Sequence, residues 1–106
     1  MNDFVGRWRI QWMETWSQEY VDKNEPGYFE FDEHGLGSFL FGTIHGAMDC
    51  RVAEEEPFLE FTWLGDVEGN QLFGRGYFRL SNPHEGEGVL FIHTGGQSGV
   101  SIRRAD

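Results

Sequence analysis

Apolar and polar residues alternate with a period of two in several short stretches of this chain. The opening segment is the clearest case. From Phe4 to Met13 the even positions are Phe4, Gly6, Trp8, Ile10 and Trp12, and the odd ones are Val5, Arg7, Arg9, Gln11 and Met13. A strand sends successive side chains to opposite faces, so the aromatics fall on one side and most of the charge on the other. Thr15 to Lys23 breaks the alternation and reads as a short helix, with Thr15 and Gln18 at capping-box spacing. Such a helix is placed to close one end of a barrel. Further strands are expected at Tyr28 to Phe31, Leu36 to Ile44, Ala47 to Val52, Phe58 to Leu64, Gln71 to Leu80, Gly88 to Thr94 and Ser98 to Arg104. On the fifth strand Leu59, Phe61 and Trp63 share a face. Turn formers separate the strands: Asp32-Glu33-His34-Gly35, a break near Gly46, Glu54-Glu55-Glu56-Pro57, Asp66 to Asn70, Ser81-Asn82-Pro83-His84 and Gly95-Gly96.

About eight short strands with short connections predict an all-β fold in a single domain over residues 1–106. Unpaired strand edges are costly, so a meander of this size closes into an antiparallel up-and-down barrel or folds over as a sandwich. The expected architecture is a small barrel with one short helix after the first strand. A narrow barrel is filled by its own side chains or holds one small ligand. With 16% aromatic residues the chain favours a filled interior.

Charge narrows the field of partners. The formal net charge is −10, from 18 acidic and 8 basic residues. Phosphate recognition depends on clustered Lys and Arg, so neither nucleic acid nor an anionic membrane is an expected partner. Cys50 is the sole cysteine and cannot form a disulfide within the chain. The N-terminus lacks a basic region followed by an apolar stretch, so no signal peptide is expected. The reading is cytoplasmic.

Phe4-Val5-Gly6-Arg7-Trp8 carries Gly-x-Trp on the first strand. This resembles the opening motif of the lipocalins and of the wider calycin group of up-and-down barrels. The resemblance implies that Gly6 and Trp8 belong to a structural motif at the closed end of the barrel. It also implies that an Arg of the last strand packs across the Trp; side-chain parity with Val100 and Ile102 favours Arg104 over Arg103. The run Phe41 to Arg51, Gly74-Arg75-Gly76 and Phe91 to Gly95 look like blocks of a family of short bacterial proteins of unknown function. That likeness implies no activity.

Candidate sites are few. Asp49-Cys50-Arg51 is a polar cluster in an apolar strand region, with Asp49 and Arg51 on one face and Cys50 on the other beside Met48 and Val52. Either the charges form a cross-strand ion network around a core thiol, or they lie at a barrel mouth, where Arg51 forks onto a carboxylate or phosphate. The glycines around Arg75 mark a bulge, or room for a ligand to approach. His93 reads as a buried, satisfied histidine or as a general base or ligand. His45, His93 and Cys50 lack any close metal-ligand spacing, so no metal is expected, and no cofactor motif is present. Gly95-Gly96-Gln97-Ser98-Gly99 lacks the strand–turn–helix context of a nucleophile elbow. The expectation is a non-catalytic module that binds a small apolar or anionic molecule at one mouth, near Arg51, Arg75, His93 and Asp49, or a protein on the sheet surface. Two alternatives remain open: a small hydrolase or isomerase using His93 with Asp49 or Glu60, and a homodimer without ligand.

Overall fold

A computed structural model describes residues 3–53 and 57–105. The acidic run Glu54-Glu55-Glu56 lies outside the described residues. Strands β1 (Gly6–Met13), β2 (Tyr28–Phe31), β3 (Leu36–Phe41), β4 (Ile44–Ala53), β5 (Phe58–Val67), β6 (Asn70–Asn82), β7 (Glu85–Ile92) and β8 (Gly96–Arg104) follow in order. Each pairs antiparallel with the next, and β8 returns to β1, so the sheet is a closed eight-stranded barrel. One short helix, α1 (Gln18–Val21), follows β1. Among the described residues no helix is long and apolar enough to cross a membrane.

The interior is filled by rings. Phe29 is fully buried and lies 4.8 Å from Phe78, 5.1 Å from Phe39, 6.2 Å from Phe61 and 6.5 Å from Phe31. Leu59, Phe61 and Trp63 all point inward, as the alternation in β5 predicts. Glycines on the inner face make space for the rings. A Cβ on Gly46 would sit 2.6 Å from the Phe39 ring, and one on Gly76 would sit 2.5 Å from the Phe61 ring. Both contacts are far shorter than carbon atoms tolerate.

Both ends of this barrel are closed. At one end Trp8 and Phe4 are fully buried, and the Trp8 indole N–H donates to the Phe4 carbonyl at 2.9 Å. The Arg104 guanidinium lies 4.3 Å from the centre of the Trp8 ring. It donates to the carbonyls of Val5 at 2.9 Å and Asp3 at 2.6 Å. Gly6 has φ 123°, a conformation that side chains disfavour, which accounts for the glycine at that position. At the opposite end α1 buries Val21, and Trp16 packs 4.8 Å from Phe41. The Tyr20 hydroxyl accepts from the Thr43 backbone N–H at 3.3 Å, and the Gly42 N–H donates to the Val21 carbonyl at 3.0 Å. These bonds seat the helix on the β3–β4 turn.

The structure corrects several local expectations. The β3–β4 turn is Gly42-Thr43, with Gly42 at φ 58°, and Gly46 lies inside β4. The first strand does not keep its parity: a bulge between Ile10 and Trp12 turns Trp12 outward, 52% exposed, and turns Met13 inward. The helix cap is Ser17, whose hydroxyl accepts from the Tyr20 N–H at 3.2 Å; the Thr15 hydroxyl donates instead to the Gln97 carbonyl. Strand β7 begins at Glu85, before the expected Gly88, because Pro83-His84 alone makes the turn.

Candidate functional site

The wall formed by β4 to β7 carries the polar candidates, and its geometry follows from register. Asp49 pairs with Thr62, Thr62 with Arg75, and Arg75 with Phe91. The next row toward the Trp8 end is Arg51, Glu60, Tyr77 and Val89. In the other direction lie Ala47, Leu64 and Phe73, with the His93 N–H donating to the Phe73 carbonyl at 2.7 Å. All of these side chains alternate with inward-facing residues, so they stand on the outside of the barrel.

Two neighbouring surface depressions of about 350 Å³ each lie on this wall. One is lined by Asp49, Arg51, Phe58, Glu60, Thr62 and Tyr77, the other by Phe73, Phe91, Ile92 and His93, and both share Thr62 and Arg75. The structure therefore gathers Asp49, Arg51, Arg75 and His93 on one surface, but not at a mouth. The mouths are taken by the Trp8–Arg104 plug and by α1, so the expected position at a barrel opening is corrected to the outer wall.

Each candidate has a distinct setting. Asp49 and Arg51 pair along the same strand at 2.6 Å rather than across strands, and both side chains are well exposed. An exposed pair of this kind contributes little, about 0–1 kcal/mol. The Arg75 guanidinium lies over Phe91, 4.2 Å from the ring centre, and no carboxylate pairs with it among the described residues. Its flanking glycines mark no bulge: Gly74, Arg75 and Gly76 keep continuous register on both sides. Their missing side chains point inward, where Trp63 and Phe61 need the space. His93 is exposed, not buried, and stacks on Phe73 at 4.5 Å and 21°. His93 lies in one depression, and Asp49 and Glu60 line the other. No hydrogen bond joins His93 to either carboxylate among the described residues, so the acid–base pairing is not assembled.

His45 pairs with Asp66 at 3.1 Å on the outer face, whereas Cys50 points inward. Among the described residues no group of three or more His, Cys, Asp or Glu side chains is gathered as for a metal. Ser98 is fully buried, and its hydroxyl donates to the Gly99 carbonyl and accepts from the Thr15 N–H. It is a structural hydroxyl.

Burial pushes the Cys50 thiol up to about 12, and the carboxylates of Asp49 and Asp32 push in the same direction. The thiolate is the reactive form, so Cys50 is protonated at neutral pH. It is expected to resist iodoacetamide in the folded protein and to alkylate readily in urea. Mass spectrometry reads both; fast alkylation without denaturant would contradict this setting.

Sequence reasoning missed Phe73, Phe91, Tyr77 and Phe58 as site residues. Strand β6 has apolar residues on both faces, Leu72 and Phe78 inside, Phe73 and Tyr77 outside, so alternation alone does not orient it. The glycine pair was the available signal. A strand face bearing two glycines beside Phe78 is the one that must accept rings from elsewhere. Comparison with family models, curated proteins and solved structures found no match.

Proposed function

We propose that this chain is a non-catalytic binding module and that it binds through the outer wall of β4 to β7. The observation that carries the reading is Arg75: a guanidinium held over the Phe91 ring, without a carboxylate partner among the described residues, between two depressions. Contact with the ring restrains the guanidinium in advance, and its fork of donors takes a carboxylate in two parallel hydrogen bonds. The half-exposed Leu64 and Phe73, with the His93 ring stacked alongside, offer an apolar shelf next to that charge. A partner with a carboxylate and an adjacent apolar group satisfies both.

The Gly6, Trp8 and Arg104 arrangement supports an architectural kinship with the calycin barrels. A ligand cup does not come with it, because aromatic rings occupy the interior. A cytoplasmic setting suits a lone, buried thiol that needs no oxidising compartment.

Native mass spectrometry of gently purified protein tests the reading. The wild type is expected to retain a non-covalent companion, either a small molecule or a polypeptide, that leaves on denaturation. Arg75→Ala should lose it while keeping the melting temperature within a few degrees. A bare wild-type monomer, or a companion indifferent to Arg75, overturns the proposal.

A further inference from the structure

The same wall contains a pattern that one kind of partner fits. Across β4, β5 and β6 the outward rows are Ala47–Leu64–Phe73, Asp49–Thr62–Arg75 and Arg51–Glu60–Tyr77. Asp49 and Glu60 balance Arg51 and Arg75, so this strip is neutral within a chain of net charge −10. Over an acidic surface two copies repel each other; over this strip they do not. The strip also carries Leu64 at 54% and Phe73 at 49% exposure, two of the four large hydrophobic side chains exposed among the described residues.

We infer that this strip is a two-fold interface and that its occupant is a second copy of this chain. The inference rests on the reading of the wall as a binding surface and names its partner. A closed dimer uses the same patch on both subunits, so every contact off the axis occurs twice and a residue on the axis meets its own counterpart. A two-fold axis lying in the plane of the wall along β5 places β4 of one copy over β6 of the other. Packed sheet faces keep their strands within about 30° of each other, which preserves this correspondence. Asp49 of each copy then faces Arg75 of the other, supplying the carboxylate that Arg75 lacks among the described residues. Ala47 faces Phe73, a small residue against a ring, and Arg51 faces Tyr77. Leu64 and Thr62 lie on the axis and meet their own counterparts. Glu60 also meets its counterpart, with its register neighbour Arg51 beside it on either side. Because a barrel wall is convex, contact is confined to the few strands nearest the axis, the ones that carry this pattern.

Sedimentation equilibrium on the full chain tests the inference. The wild type is expected to be a dimer at micromolar concentration. Asp49→Arg alone and Arg75→Asp alone each place like charges opposite one another twice, and each should weaken dimerisation by about 100-fold. The double variant restores opposite charges and should return to within about tenfold of the wild type. Leu64→Lys, on the axis, should also dissociate the dimer while circular dichroism remains that of the wild type. A wild-type monomer at all concentrations, or a dimer indifferent to these changes, overturns the inference. A monomer that holds a different companion through Arg75 in native mass spectrometry overturns self-association alone; a bare monomer overturns the binding reading as well.

Discussion

Phe29→Ala is expected to destabilise the barrel by about 3–5 kcal/mol, the range for deleting a buried aromatic ring. Phe29 is fully buried and touches the rings of Phe31, Phe39, Phe61 and Phe78. These neighbours come from β2, β3, β5 and β6, so the ring joins opposite walls. The strands are fixed by a closed ladder of hydrogen bonds, and the walls cannot collapse freely into the vacated space. The upper part of the range is therefore the expectation. A small domain has a total stability of about 5–15 kcal/mol, so the variant should unfold at a much lower urea concentration, or be largely unfolded in buffer. Urea titration followed by circular dichroism measures this directly. A loss below about 1 kcal/mol would mean that the interior is loosely packed, and the filled-barrel description would fail.

Arg104→Ala is expected to cost about 2–4 kcal/mol. The guanidinium stacks on Trp8 and donates to the backbone carbonyls of Val5 and Asp3, which lie far away along the chain. Hydrogen bonds from a charged donor contribute about 1.5–3 kcal/mol, and a partly desolvated cation–π contact up to about 2 kcal/mol. The half-buried position and the entropy of ordering the side chain reduce their sum. Arg104→Lys is the informative control. Lysine keeps the charge but has no planar fork that can stack on Trp8 and reach two carbonyls at once. It should recover less than half of the loss, as measured by chemical denaturation with Trp fluorescence as the probe. Full recovery by Lys would reduce the plug to a simple charge effect.

Much of this architecture was legible because barrel strands bury one face and expose the other. That constraint writes itself into the chain as alternation, as in Leu59, Phe61 and Trp63. The plug of Gly6, Trp8 and Arg104 was legible only through the resemblance to the calycin opening motif; parity with Val100 and Ile102 then chose Arg104 over Arg103. Trp12 misled because a bulge inserts one residue without any change in the local pattern. Gly46 misled because a single glycine that makes room for a distant ring, without a second glycine two residues away on the same face, is indistinguishable in sequence from a glycine in a turn.

The candidate site was legible only as separate residues. Asp49, Arg51, Arg75 and His93 were recognisable one at a time as polar or charged positions among apolar neighbours. Their assembly depends on register between β4, β5, β6 and β7, and register is a property of pairing rather than of any one strand. Whether they faced a mouth or the outer wall depended on what closed the mouths, which α1 and Arg104 decide over long separations in the chain. The sequence by itself determined the alternation and the strand number, because these are local consequences of burying one face. Tertiary structure decided which glycines turn and which yield space, where the bulges fall, and which side chains meet on the wall. Those outcomes arise from contacts between segments that no single stretch of sequence contains.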